Sequence, residues 1–219
     1  MQGYNPPLAY FTIFIIHLML PKSLYISIVC FLAVAIGCNP SSPDSRDGMA
    51  KKIRVIPLGI NGNDVLLVDV TNKIKNVFPE VRVLAERDLP EFAYYKNRNR
   101  YRADSLIRWM ESLAAKDEVY IGITNKDIST SKGEHTDWGV MGLGYCPGHA
   151  CIASSCRLKN KSMLWKVAIH EMGHTAGLPH CKNTSCFMRD AEGGDPTAEE
   201  KYFCNSCRVF LIDKGWKLQ

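Results

Sequence analysis

His170 and His174 stand four residues apart in HEMGHTAGLPHC, with Glu171 beside the first of them. On an α-helix, side chains at that spacing project from one face, one turn apart, so the two imidazoles can share a metal ion. Glu171 then lies where its carboxylate can take a proton from water near that metal without having to be a ligand, the position of a general base. Gly177 interrupts the helical pattern at a place suited to a left-handed turn, and Pro179 discourages continuation. The turn can bring His180 back as a third ligand, leaving a fourth position for water. Zinc held by three histidines lowers the pKa of water to about 7 and polarises a carbonyl, so peptide-bond hydrolysis is the chemistry this order suits. A histidine pair alone is often structural, but the full HExxHxxGxxH pattern is hard to explain that way. Met172, at helical spacing, reads as core packing.

Cys181 follows the third histidine directly, Cys186 comes five residues later, and Cys204 and Cys207 form a CxxC pair. Two close pairs of thiols separated by a loop suit a closed tetrahedral structural zinc site, which would pin the segment carrying His180 to the C-terminal region. Two disulfides, or a redox-active Cys204/Cys207 pair, are the competing readings. Structural zinc is favoured because one pair is fused to the histidine motif, which a redox pair leaves unexplained. Met188, eight residues beyond His180, is a buried-thioether candidate for the floor under the histidines.

HEMGHTAGLPHC, then Cys186, Phe187 and Met188, and finally CNSC together resemble the archaemetzincins, zinc metallopeptidases of the metzincin clan. The resemblance implies catalytic zinc on His170, His174 and His180, with Glu171 as base. It implies a Met-turn at Met188 and a second, structural zinc on Cys181, Cys186, Cys204 and Cys207. It covers residues 52 to 215, with its specific motifs after residue 169. Some metzincins carry a tyrosine two residues after the Met; here that position is Asp190, so no tyrosine is assigned to oxyanion stabilisation. The acidic residues of AEGGDPTAEEKYF read as solvated or capping groups rather than as ligands.

Elements must position these groups. The run SMLWKVAIHEMGHTA has helical periodicity in Met163, Leu164, Val167, Ala168 and Met172, with Ser162 as the expected N-cap. Upstream, residues 52–59 read as a strand, 64–77 as a covering helix with β-rich composition, and 81–86 as a strand. Residues 102–115 read as an amphipathic helix with Leu106, Ile107, Met110 and Leu113 on its apolar face, and 118–124 as a third strand. The β/α/β/α/β order predicts a partly parallel sheet with crossover helices. Two further short strands, within 138–145 and 151–158, would lead to the histidine helix, one of them at a sheet edge that either aligns an extended peptide or is ordinary edge packing, and no side chain from this region is assigned to catalysis. Gly142 and Gly144 lack the GxGxxG context of a dinucleotide site. The expected architecture is an α/β (α+β) metzincin-like zincin: a twisted mixed sheet with backing and active-site helices, and a small C-terminal subdomain carrying the Met-turn and structural zinc. One peptidase domain, 51–219, is expected, with an upper part at 51–177, a lower part at 178–219 and the cleft between them.

Residues 23–37 form an apolar stretch behind Lys22, too short for a conventional span and similar to a secretion signal, and AIGC at 35–38 resembles a relaxed bacterial lipobox. On this reading residues 1–38 are a signal and lipobox region, Cys38 is lipidated, and 39–50 form a linker. The expected location is the bacterial envelope, as a membrane-anchored lipoprotein. Met19 makes a more normal signal start than Met1; an uncleaved anchor, or a cytoplasmic protein whose extension is not translated, are the alternatives. Cys146, Cys151 and Cys156 permit a disulfide plus a free thiol, three reduced thiols, or further metal binding.

The net charge of +5 is modest and its basic residues are dispersed, so Lys51, Lys52 and Arg54, and Lys96 to Arg102, read as ordinary charged surface. No nucleic-acid-binding module is present in the pattern, and a peptide or protein substrate is the expected partner. The alternative functions are a silent, zinc-stabilised peptide-binding protein, and an aminopeptidase rather than an endopeptidase.

Overall fold

The computed structural model describes residues 51–219. Its main sheet has five strands in the order β2-β1-β5-β9-β8, formed by β1 (Lys52–Pro57), β2 (Val81–Val83), β5 (Glu118–Thr124), β8 (Gly142–Gly144) and β9 (Ala150–Ser154). The first four strands in that order run parallel, whereas β8 pairs with β9 antiparallel and forms the edge. Parallel strands need long crossovers; helices α1 (Val65–Lys75) and α2 (Ala103–Glu111) lie on those leading to β2 and β5, whereas the one from β5 to β9 has no helix.

Both faces of the sheet are covered, so alternation in its strands sorts apolar side chains between two cores instead of between core and water. Ile53 and Val55 of β1, Ile121 and Ile123 of β5, and Cys151 and Ala153 of β9 face one core. That core also takes Leu67, Val70 and Ile74 of α1 and the apolar face of α3 (Leu164–Thr175). Ile56, Tyr120 and Ile152 face the other way, onto Leu106, Ile107 and Met110 of α2. Leu113, expected on that apolar face, is 39% exposed because α2 ends at Glu111.

A second sheet, in the order β3-β4-β6-β7, is built from β3 (Tyr94–Tyr95), β4 (Arg100–Arg102), β6 (Ile128–Lys132) and β7 (His135–Val140). The arginines that read as ordinary surface are structural here. Arg100 pairs with Asp127 and Asp137 at 3.1 and 3.2 Å, and Arg102 reaches Asp137 at 3.4 Å. Asp137 is nearly buried, so these pairs tie β4 to the β6–β7 hairpin.

The expected N-cap of α3 is corrected. The N-cap position is Met163, which makes no side-chain cap; Ser162 lies inside a short 3-10 turn, Lys161–Met163, that leads into the helix, and Asn160 caps that turn, its side chain accepting from the Ser162 backbone N–H at 3.1 Å. Beyond α3 the chain is mostly irregular until α4 (Asn205–Asp213), which opens directly after Cys204. Cys146, Cys151 and Cys156 are free thiols, with Cys151 fully buried and the other two exposed. The signal, lipobox and linker readings for residues 1–50, including Cys38, lie outside the described residues.

Candidate metal centres and active site

Helix α3 carries His170, Glu171 and His174, and it ends as the glycine signal indicates: Gly177 has φ +100°, and the Leu178 N–H returns to the Gly173 carbonyl at 3.1 Å. An L side chain is strained at that φ, so glycine permits the reversal that sends the chain through Leu178 and Pro179 to His180.

The three imidazoles come together, with ligand atoms within 4.8 Å of one another. Each ring also has its Nδ1 engaged. His170 Nδ1 donates to the Phe187 carbonyl at 2.7 Å, His174 Nδ1 to the Leu178 carbonyl at 2.8 Å, and His180 Nδ1 meets Asp190 Oδ2 at 3.1 Å. A carbonyl can only accept, so in His170 and His174 the hydrogen belongs on Nδ1 and Nε2 is left with its lone pair. Those two Nε2 atoms face each other at 3.0 Å. Two facing lone pairs repel, and a shared cation removes the conflict, so the donor set fits a metal site of three histidines. Burial pulls His170 down to about 4 and also lowers His174, which keeps both rings neutral and able to ligate at neutral pH.

Glu171 is 8% exposed. Burial pushes its carboxyl up to about 8, opposed by a hydrogen bond from the Gly144 N–H on β8. A carboxyl poised near neutrality can exchange a proton with water and with a departing amine. The edge strand approaches closely here because it carries glycine at both contact points. A Cβ at 142 would meet Glu171 Cγ and Oε1 at 2.6 Å, and one at 144 would meet the Glu171 carbonyl oxygen at 2.5 Å.

Cys181, Cys186, Cys204 and Cys207 form a second group whose sulfurs lie within 4.8 Å of one another. Cys204 caps α4 and Cys207 sits in its first turn. Burial pushes Cys186 and Cys207 up, whereas at Cys204 hydrogen bonds from Ser206 and its neighbours outweigh burial and bring the thiol down to about 6. Four clustered thiols without a disulfide are the donor set of a closed tetrahedral zinc site. Its link to the histidines is the backbone: the Cys181 N–H donates to the Met188 carbonyl at 2.7 Å. Met188 is fully buried beneath α3, against Gly173, where any side chain would collide with its sulfur.

The three histidines and four cysteines singled out in the sequence thus fall into two adjacent groups, with Glu171 on the histidine helix and Met188 packed beneath it. Sequence reasoning noted Asp190 only as a missing tyrosine, and the glycines of β8 only as lacking the context of a dinucleotide site. It also placed every acidic residue of 191–203 in solvent or in caps, whereas Glu200 is 3% exposed.

A mixed α/β fold with two histidines and a glutamate on one helix, a third histidine beyond its terminal turn, and a four-thiol cluster beside them matches the arrangement of zinc peptidases of the zincin type. The sequence model of peptidase family M54 matches residues 63–212, and the chain belongs to that family. It is 32% identical over 149 residues to the archaemetzincin of Nanoarchaeum equitans, covering 67% of this chain and 83% of the relative. The archaemetzincin of Archaeoglobus fulgidus is 30% identical over 164 residues, covering 71% and 96%. The crystal structure of the Archaeoglobus fulgidus protein, complexed with malonate, superposes with a TM-score of 0.61 at 28% identity, covering 73% of this chain and 99% of that one. The Methanopyrus kandleri archaemetzincin, 24% identical with a TM-score of 0.63, covers 78% and 98% and shares the fold. The archaemetzincin resemblance read from the motifs is therefore borne out.

The expected location is not. These relatives are archaeal, against the reading of a bacterial envelope lipoprotein, and among the described residues no helix is long and apolar enough to cross a membrane.

Proposed function

We propose that the chain hydrolyses peptide bonds, with His170, His174 and His180 holding a catalytic zinc and Glu171 serving as general base. Cys181, Cys186, Cys204 and Cys207 hold a second, structural zinc, and Met188 forms the Met-turn under the histidines. The observation that carries this reading is the pair of facing Nε2 atoms, 3.0 Å apart, on the helix that also carries a buried carboxyl. Zinc supplies Lewis acidity at this position, acidifying water and polarising the scissile carbonyl.

The chain's own residues do the rest. Backbone carbonyls of Phe187 and Leu178 fix the tautomer and the ring planes of two ligands, which raises their basicity. Glu171 accepts the proton of the attacking water and returns it to the departing amine. Strand β8, with a neighbour on one side only, offers main-chain groups to an extended substrate lying in the cleft between an upper part, 51–177, and a lower part, 178–219. Conversion of Glu171 to Gln keeps the shape and removes the base. The expected result is near-normal zinc content with turnover reduced at least 100-fold, the low end for loss of a general base. Full peptidase activity in a clean Glu171→Gln preparation would defeat the base assignment.

A further inference from the structure

His180 differs from the other two histidines in its setting. Its side chain is 47% exposed, and its Nδ1 rests on a carboxylate instead of a backbone carbonyl. That carboxylate, Asp190, is held at both oxygens: Oδ2 lies 3.1 Å from His180 Nδ1, and Oδ1 accepts the Glu192 backbone N–H at 2.9 Å. The two residues are brought side by side by the backbone between them. The Cys181 N–H donates to the Met188 carbonyl at 2.7 Å, and Cys181 and Arg189 form a parallel bridge, so the two segments run side by side and the His180 and Asp190 side chains, one on each, meet at 3.1 Å.

We propose that Asp190 is a positioning residue for His180: its carboxylate accepts the Nδ1 hydrogen and aims Nε2 at the catalytic metal. An imidazole that is half in water has several rotamers and two tautomers open to it, and one oriented acceptor selects the ligating state. For His170 and His174 burial and backbone carbonyls do this work. For His180, at the rim, no backbone carbonyl is in place, and the residue two beyond Met188 supplies the acceptor. The Glu192 N–H fixes the carboxylate so that it arrives oriented, and the thiol cluster beside it holds the two segments in register.

The inference rests on His180 being a zinc ligand, and the test separates the two. In the full-length chain, zinc retention at the three-histidine site is measured by chelator competition, with the thiol-bound zinc and the melting temperature as internal controls. His180→Ala is the reference for loss of the ligand. Removing an outer carboxylate from a ligating histidine typically weakens metal binding 10 to 100-fold, so Asp190→Ala is expected to weaken the catalytic zinc by about that factor. Asp190→Asn keeps an acceptor oxygen and is expected to remain within roughly threefold of the parent, given how modest a neutral acceptor's deficit is. Asp190→Ser still caps the Glu192 N–H but cannot reach His180. It should behave like Asp190→Ala, and it carries the test if the alanine variant fails to fold. Retention within threefold in both the alanine and serine variants overturns the proposal, and so does an asparagine variant as weak as the alanine one. If His180→Ala itself keeps its zinc, the ligand assignment fails and the proposal falls with it.

Discussion

Adding one methyl group at either glycine of β8 separates positioning of the base from stability of the fold. At Gly142 the new Cβ would lie 2.6 Å from Glu171 Cγ and Oε1 and 2.8 Å from Val167 Cγ1, where ordinary contact begins at about 3.4 Å. The obstacles are side-chain atoms rather than backbone, so the overlap of nearly an ångström is relieved chiefly by swinging the Glu171 side chain, Cγ and carboxylate together, away from β8. The stability cost should then sit at the low end of overpacking, about 1 kcal/mol, or roughly 2–4 °C for a domain of this size. The activity cost is larger, because a displaced base forfeits part of a contribution worth on the order of 100 to 10,000-fold. At Gly144 the obstacle is the Glu171 carbonyl oxygen at 2.5 Å, which belongs to α3 and moves only with the helix. Gly144→Ala should therefore cost about 2–3 kcal/mol and melt distinctly earlier than Gly142→Ala. The assay is kcat and KM on a cleaved peptide, with thermal melting and zinc content on the same preparations. For Gly142→Ala the expected outcome is kcat down at least tenfold, KM little changed, both metals retained and the melting temperature within about 4 °C of the parent. Parental kcat in a folded Gly142→Ala protein would refute the reasoning that this glycine sets the place of Glu171.

Glu200 and the thiol cluster give further outcomes. Burial pushes the Glu200 carboxyl up to about 7 from an ordinary 4.5, so the folded chain binds the proton more tightly than the unfolded one. Its contribution to stability is full below about pH 4.5 and is lost as pH rises through 7. The upper limit is roughly 3 kcal/mol, and partial hydration reduces it to about 1–2 kcal/mol. Glu200→Gln should flatten the melting temperature between pH 5 and pH 8 by a few degrees, on the order of 2–4 °C per kcal/mol; parallel curves for variant and parent would count against it. Cys186 is fully buried, its sulfur accepting the N–H groups of Met188 and Cys204. If the four thiols hold the proposed structural zinc, Cys186→Ser should lower the zinc content by one per chain and cost on the order of several kcal/mol, measurable by metal analysis and melting, because binding at a closed zinc site contributes to folding. A serine variant with unchanged metal content would instead favour an oxidised pair among these thiols.

Most of the site was legible because its chemistry is local in sequence. The four-residue spacing on one helix, the glycine turn and the position of His180 all lie within a dozen residues, and each has one ready structural meaning. The main sheet was legible for a similar reason: its strands are apolar runs separated by helices of clear period. The second sheet was not. Its strands β3 (two tyrosines) and β4 (Arg-Tyr-Arg) are too short to show a period, and Asp127 and Asp137 from distant segments pair with Arg100 and Arg102 of β4. Helix α4 was hidden by its own pattern, since Val209 and Ile212 are about half exposed and blur the apolar stripe. Asp190 was noticed in the sequence only as the residue that is not a tyrosine. Its relation to His180 depends on the turn at Met188 and on a backbone bridge that no spacing rule reveals.

The central claim is tested most directly by exposing the metal-quantified protein to a diverse peptide library and identifying products by mass spectrometry, with Glu171→Gln run alongside. The account predicts new peptide termini that form with the parent protein and not with the variant; internal cuts or stepwise amino-terminal release would each identify the mode. Peptide binding without any cleavage, in protein carrying both zincs, would contradict it.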